Sequence, residues 1–162
     1  MKPRKLLDGP DGAVLVPLTK GAVAAIDPED AGWVGLNSWC LASGGYALRR
    51  VGVLMHREVL IRSGYDLTGL ECDHIDGNTL NNRRSNLRPA THMENMWNQG
   101  PRRNNRLSIK GVMECRGKFK VQIYVDGRPI YLGYYDTPEE ASAVYKAAAV
   151  KHFGEFANIE RY

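Results

Sequence analysis

The sequence predicts an α+β protein in two parts: a mixed N-terminal domain, and a small C-terminal unit of strands packed on one helix. Three observations carry that prediction. A strictly alternating run, Lys118 to Val125, meets a hairpin turn and then a helical pattern opened by a capping signal. Ahead of it, short apolar runs broken by Gly, Pro, Asp and Asn describe brief strands and one short helix. At 162 residues, 43% hydrophobic and 25% charged, the chain has an ordinary globular composition and buries roughly 70% of its unfolded surface.

In chain order, Val14 to Leu18 and Ala22 to Ile26 read as strands around a Lys20-Gly21 turn. Asp27-Pro28-Glu29-Asp30 supplies an N-cap, a proline at the first helical position and acids in the first turn. Trp39 to Ala42 and Tyr46 to Val51 flank Gly44-Gly45 as a hairpin, and Val53 to Arg62 suits a short helix. His56 within it reads as a structural histidine. The stretch Gly100-Pro101 to Leu107, with Asn104-Asn105, is the expected linker.

Beyond the linker, alternation puts Phe119, Val121, Ile123 and Val125 on one face and Lys118, Lys120, Gln122 and Tyr124 on the other. Asp126-Gly127 is the turn and Pro129 to Tyr135 the return strand. Thr137-Pro138-Glu139-Glu140 opens a helix whose buried stripe is expected at Ala141, Val144, Tyr145, Ala148 and His152, closed by Gly154. Trp97 reads as core rather than as a platform for a base.

Charge separates binding classes. The chain carries 22 Lys+Arg against 18 Asp+Glu, a net +4 that says little. From Pro101 to Arg128, however, eight bases face two acids. That concentration attracts polyanions. Three scattered cysteines (Cys40, Cys72, Cys115), with no Cys-x-x-Cys pair, argue against a disulfide scaffold and against zinc, and for a reducing, cytoplasmic setting. No signal peptide is expected, since no apolar run follows the charges of Met1 to Asp8, and no membrane helix, since the longest uncharged stretch, Ala31 to Leu48, is broken by glycines and polar residues.

The chemistry-bearing stretch is Glu71-Cys72-Asp73-His74-Ile75-Asp76-Gly77-Asn78, then Asn81 to Arg88, then Thr91-His92-Met93-Glu94-Asn95. Phosphodiester hydrolysis needs a base active near neutral pH, which suits histidine. It also needs a hard cation, which suits carboxylate and amide oxygens. Asp73, His74, Asn86 and Asn95 cover these roles without cysteine. His92 and Asn95, one turn apart on a helix, share a face.

Residues 71–99 resemble the HNH nucleases (His-Me finger, ββα-metal fold) in the variant found in phage and intron homing endonucleases. Gly45 to Arg49 and Met55-His56-Arg57 are similar to the same family. Residues 108–160 resemble an Apetala-type (ethylene-response-factor) DNA-binding domain, from Lys110-Gly111-Val112 through Leu132 to Ala141 to Phe153 to Ala157. The resemblance implies domains at 1–99 (ββα-metal motif at about 70–99) and 108–162, the second a three-stranded sheet packed on one helix, joined by a basic linker at 100–107.

It also implies that His74 is the general base, that Asp73 and Asn95 hold Mg²⁺ with Mn²⁺ able to substitute, and that Asn86 braces the loop orienting the histidine. His92 remains an alternative ligand or a phosphate contact. Double-stranded DNA is the implied substrate, with a nick as the simplest product. Arg83, Arg84 and Arg88, the linker's Arg102, Arg103 and Arg106, and Lys110, Arg116, Lys118, Lys120, Gln122, Tyr124 and Arg128 are the expected contacts to it. No feature points to an obligate protein partner or a membrane. The alternative is a DNA-binding regulator with an inactive nuclease centre.

Overall fold

A computed structural model describes residues 4–49 and 52–159. Met1 to Pro3, Arg50 with Val51 (the end of the second expected hairpin strand) and Glu160 to Tyr162 lie outside the described residues. The architecture is mixed α+β, with several small sheets and, among the described residues, four α-helices. The chain divides into two compact units, Met1–His92 and Met93–Tyr162. No helix among the described residues is long and apolar enough to cross a membrane.

In the first unit, β1 (Leu7–Asp8), β2 (Val14–Pro17) and β3 (Val23–Ile26) form an antiparallel sheet in that order. Lys20 takes a left-handed conformation (φ 59°) in the turn between β2 and β3, with Gly21 following at φ 72°. Pro28–Asp30 forms a 3-10 turn running into α1 (Ala31–Gly35). Asp27 does not cap that turn; its carboxylate is drawn instead to Arg83 and to the backbone of Arg84. β4 (Trp39–Leu41), β5 (Ala47–Arg49) and β6 (Val53–Leu54) make a second small sheet, and α2 (Met55–Arg62) follows at once.

Met55, Val59 and Leu60 of α2 are buried with Ile26, Val34, Trp39, Cys72 and Leu87 in one core. Each such side chain contributes about 1.5–3 kcal/mol by leaving water. This packing fixes α2 against the two-stranded ribbon of β7 (Glu71–His74) and β8 (Leu87–Ala90) that carries the site. Arg57 adds a clamp, donating to the carbonyls of Leu70 (3.0 Å) and Leu67 (3.4 Å) on the segment entering β7.

Helix α3 (His92–Asn98) runs across the unit boundary. In the second unit, β9 (Val112–Cys115), β10 (Lys118–Val125) and β11 (Arg128–Tyr135) form an antiparallel sheet with β10 central. Helix α4 (Pro138–Phe153) packs on it, with Val112, Val121, Ile123, Ala141, Tyr145, Ala149 and Phe153 buried. Asp126 and Gly127 (φ 50° and 75°) make the turn that the sequence signals. Thr137 caps α4, accepting from the Glu140 N–H at 3.2 Å. The expected stripe shifts at its end: His152 is exposed and Phe153 takes the inward place, its ring stacked on Trp97 at 4.5 Å. Trp97 thus packs against this core.

Gly111 is required by both space and backbone. Its φ is 72°, and a Cβ there would lie 2.1 Å from the Tyr145 ring. The 100–107 stretch is built into this unit rather than hanging free. Asn105 accepts from the Leu107 N–H (3.0 Å) and donates to the Ile109 carbonyl (2.6 Å), while Leu107 packs on the core.

Candidate active site

His74 closes β7, and its cross-strand partner is Leu87; Asp73 faces Arg88. Adjacent strand residues point to opposite faces, so Asp73 and His74 enter different surroundings. Asp73 is 3% exposed and accepts from Arg88, whose Nε and terminal nitrogen lie 2.9 and 2.8 Å from the same carboxylate oxygen. His74, 5% exposed, sets its Nε2 3.5 Å from the Asn82 carboxamide oxygen. Its ring also meets His56 edge to face, with centroids 5.0 Å apart, and Tyr46 at 5.9 Å.

Burial is the largest influence on His74 and lowers its pKa below the usual imidazole value, against the opposing pulls of Asn82, Asp76 and Asp73. His56 is pushed down to about 3, chiefly by burial, with His74 and Arg57 adding repulsion. Both imidazoles are therefore neutral near neutral pH. The Cys72 thiol, in the apolar core, is pushed up to about 12 by burial, which keeps it an inert side chain.

The loop from Ile75 to Asn86 is tied by its own amides. Gly77 turns the chain, its N–H donating to the His74 carbonyl at 2.8 Å. Asn86 accepts from the Asp76 N–H (3.0 Å) and donates to the Asp76 carboxylate (2.9 Å) and the Asn81 carbonyl (2.8 Å). Asn81 reaches the other Asp76 oxygen at 2.7 Å. Asn82, fully buried, donates to the Leu80 carbonyl, which turns its oxygen toward His74. Backbone bonds between Ala25 and the Leu80–Asn82 segment stitch this loop to β3.

Asp73, His74 and Asn86 all lie buried in the first unit, but with different partners (Arg88, Asn82 and Asp76 respectively), and Asn95, half-buried, belongs to the second. His92 is exposed and holds Glu71 through Nδ1 at 2.8 Å. Arg83 pairs with Asp27, Arg84 with Glu29 and the fully buried Asp30, and Arg88 with Asp73, so all three guanidiniums bind carboxylates of the fold. Asp27, Glu29 and Asp30 form the one acidic cluster of metal-holding dimensions among the described residues, and Arg83 and Arg84 offset two of its three charges. Asp30 stays ionised despite burial because Arg84 and Trp33 hydrogen-bond its carboxylate.

In the second unit, Arg102, Arg103, Arg106, Arg116 and Arg128 are exposed, whereas the Lys110 ammonium is held by the carbonyls of Met96, Trp97 and Gln99. Lys118 pairs with Asp136 at 2.7 Å, Lys120 is half-buried, and Gln122 donates to the Tyr124 hydroxyl. Three residues of this sheet face escape the alternation argument: Met113, Tyr131 and Tyr134, each about half exposed. A bulge beside Val121/Gln122 puts Lys120 opposite Tyr134 and Gln122 opposite Tyr131, so both tyrosines join one face with rings 5.7 Å apart. Around His74, sequence reasoning missed Asn82 and the contact with His56. The Met55-His56-Arg57 similarity gives His56 no role beyond a structural one, and one asparagine among several carries no signal of which is buried beside the site.

The description "HNH endonuclease" belongs to the family that matches residues 56–97, a span from His56 to Trp97 that includes the whole β7–β8 ribbon. An uncharacterized HNH endonuclease of Acanthamoeba polyphaga mimivirus is 31% identical over 142 residues, 85% of this chain and 74% of that protein. Protein 3.8 of Escherichia phage T7 is 32% identical over 93 residues, covering 56% of this chain and 76% of its own length. No solved structure matches. With that family match falling on the buried Asp73–His74 ribbon, and with the mimivirus relative covered over most of its length, the chain belongs to the HNH endonuclease family.

Proposed function

We propose that this chain is a divalent-cation-dependent DNA endonuclease of the ββα-metal type, in which His74 is the general base and the product is a nick. The observation that carries the reading is His74 itself. It is a buried, neutral imidazole at a strand end, its orientation set by Asn82 and by a loop that Asn86 braces. The Asn82 oxygen, 3.5 Å from Nε2, favours the tautomer with hydrogen on that nitrogen, in which Nδ1 is the basic one. The element order β7, β8, α3 agrees with a ββα motif.

The donor chemistry fits a hard cation. Asp73, one residue before the end of β7, offers a carboxylate of which Arg88 engages a single oxygen. Asp73 and Asn95 are the residues we assign to Mg²⁺ or Mn²⁺, with His92 as the competing ligand. A cation held there would supply stabilisation of the negative charge that develops on the phosphate.

Duplex docking falls to the second unit, which we read as an Apetala-type domain. Its outer sheet face, with Lys120, Gln122, Tyr124, Tyr131 and Tyr134, meets the bases. Exposed Arg102, Arg103, Arg106, Arg116 and Arg128 meet phosphates. Arg83, Arg84 and Arg88, by contrast, act first in holding the nuclease unit together.

The test is relaxation of supercoiled plasmid as Mg²⁺ is titrated. Wild-type protein is expected to give open circles and to stop on chelation, and Asp73→Ala to need far more cation or to fail. Tight DNA binding by the wild-type chain with no cleavage at any cation concentration contradicts this reading and returns the inactive regulator.

A further inference from the structure

Three rings from separate elements meet at the site: Tyr46 just before β5, His56 in the first turn of α2, and His74 at the end of β7. We infer that His56 is a positioning residue for the nuclease reaction, its ring edge holding the His74 imidazole in the rotamer from which it takes the proton. This rests on His74 being the base.

The geometry is that of a wall. His56 and His74 stand nearly perpendicular, 88° between planes at 5.0 Å, the edge-to-face arrangement that aromatic pairs favour. Tyr46 backs His56 in the same manner, at 5.0 Å and 70°, and leans on His74 at 5.9 Å. Against the wall, Asn82 faces Nε2. Turning the His74 ring about its own axis loses both the acceptor and the wall.

The wall stands on rigid parts. Met55, Val59 and Leu60 sink α2 into the core, and Arg57, next to His56, ties the helix to the Leu67–Leu70 segment that leads into β7. Sites carried on helices and strands hold their geometry more closely than sites on loops.

An apolar residue would suit stability better here. His56 is 5% exposed and its Nδ1 is buried with no hydrogen-bond partner. Such an atom costs about 1–3 kcal/mol, and Leu would avoid the cost. Retaining it in contact with the reacting imidazole is the pattern of a residue kept for activity rather than stability. Burial also keeps His56 uncharged, so it does not oppose proton uptake by its neighbour.

The experiment compares His56→Leu and His56→Phe with wild type in kcat, KM for plasmid, thermal midpoint, and the NMR signals of the His74 ring. His56→Leu fills the space without the ring edge. Its midpoint should stay level or rise while kcat falls about 10–100-fold at unchanged KM, since a small misplacement of a reacting group has effects of that size. Its His74 resonances should broaden as the ring samples further rotamers. His56→Phe restores the edge and should recover kcat to within about threefold. A His56→Leu protein with wild-type kcat, or a His56→Phe protein as slow as the leucine variant, overturns the inference. His74→Ala separates the failures: nicking that survives that change removes the base assignment itself.

Discussion

Replacing Asn86 by alanine removes one acceptor and two donor bonds, at 3.0, 2.9 and 2.8 Å, all made to the loop that follows His74. Each net bond contributes about 1 kcal/mol, so the loss comes to about 3 kcal/mol, at the upper end of ordinary point mutations. Part of that loss comes from the Asp76 N–H and the Asn81 carbonyl being left without this partner. Asn86→Asp is expected to cost more at neutral pH, because it keeps the acceptor but sets a second carboxylate against Asp76. Urea unfolding followed by tryptophan fluorescence in a Trp97→Phe background, which leaves Trp33 and Trp39 of the first unit as reporters, reads the cost directly. Asn86→Ala within about 0.5 kcal/mol of wild type, the size of a neutral surface change, would refute the bracing argument, as would Asn86→Asp matching or exceeding the alanine variant in stability.

Arg84→Met leaves the fully buried Asp30 carboxylate without its guanidinium and should cost about 3 kcal/mol in thermal unfolding, with little change in DNA affinity. Alanine at Arg102, Arg103 and Arg106 should do the reverse, leaving stability alone and reducing the slope of log affinity against log salt by about one per residue in a gel-shift series. For pH, the folded value of His56 (about 3) lies below its unfolded value of 6.5, so the unfolded chain binds the extra proton first. The His56 contribution is complete above pH 6.5 and drains away as pH falls toward 3. His56→Phe should therefore flatten the loss of stability across that window in acid-titrated calorimetry.

Local chemistry made much of this molecule legible in advance. The Lys20-Gly21 and Asp126-Gly127 turns, the Thr137 cap and the inward places of Val121 and Ile123 follow from residue type and spacing alone. The Asp73-His74 pair stands out only through its resemblance to the HNH motif, since adjacent strand residues point to opposite faces. What stayed hidden depends on partners distant in sequence. Arg83 and Arg84 looked like phosphate contacts, yet their carboxylates at Asp27 and Asp30 arrive from more than fifty residues away. His56, far from Asp73-His74 in sequence and read there as structural, meets the His74 ring only when α2 packs on the β7–β8 ribbon. Tyr131 and Tyr134, three apart, break the two-residue period, and a bulge that no local pattern announces returns them to one face. His152 lost its inward place to Phe153, whose larger apolar ring found Trp97.

The most direct test is single-turnover nicking of supercoiled plasmid in Mg²⁺ by wild-type protein and by His74→Ala, at concentrations where gel shift shows equal DNA binding. Removal of a general base predicts a rate lower by about 10²–10⁴-fold with affinity preserved. Equal rates for the two proteins, or wild-type nicking that proceeds unchanged in chelator, contradicts the account.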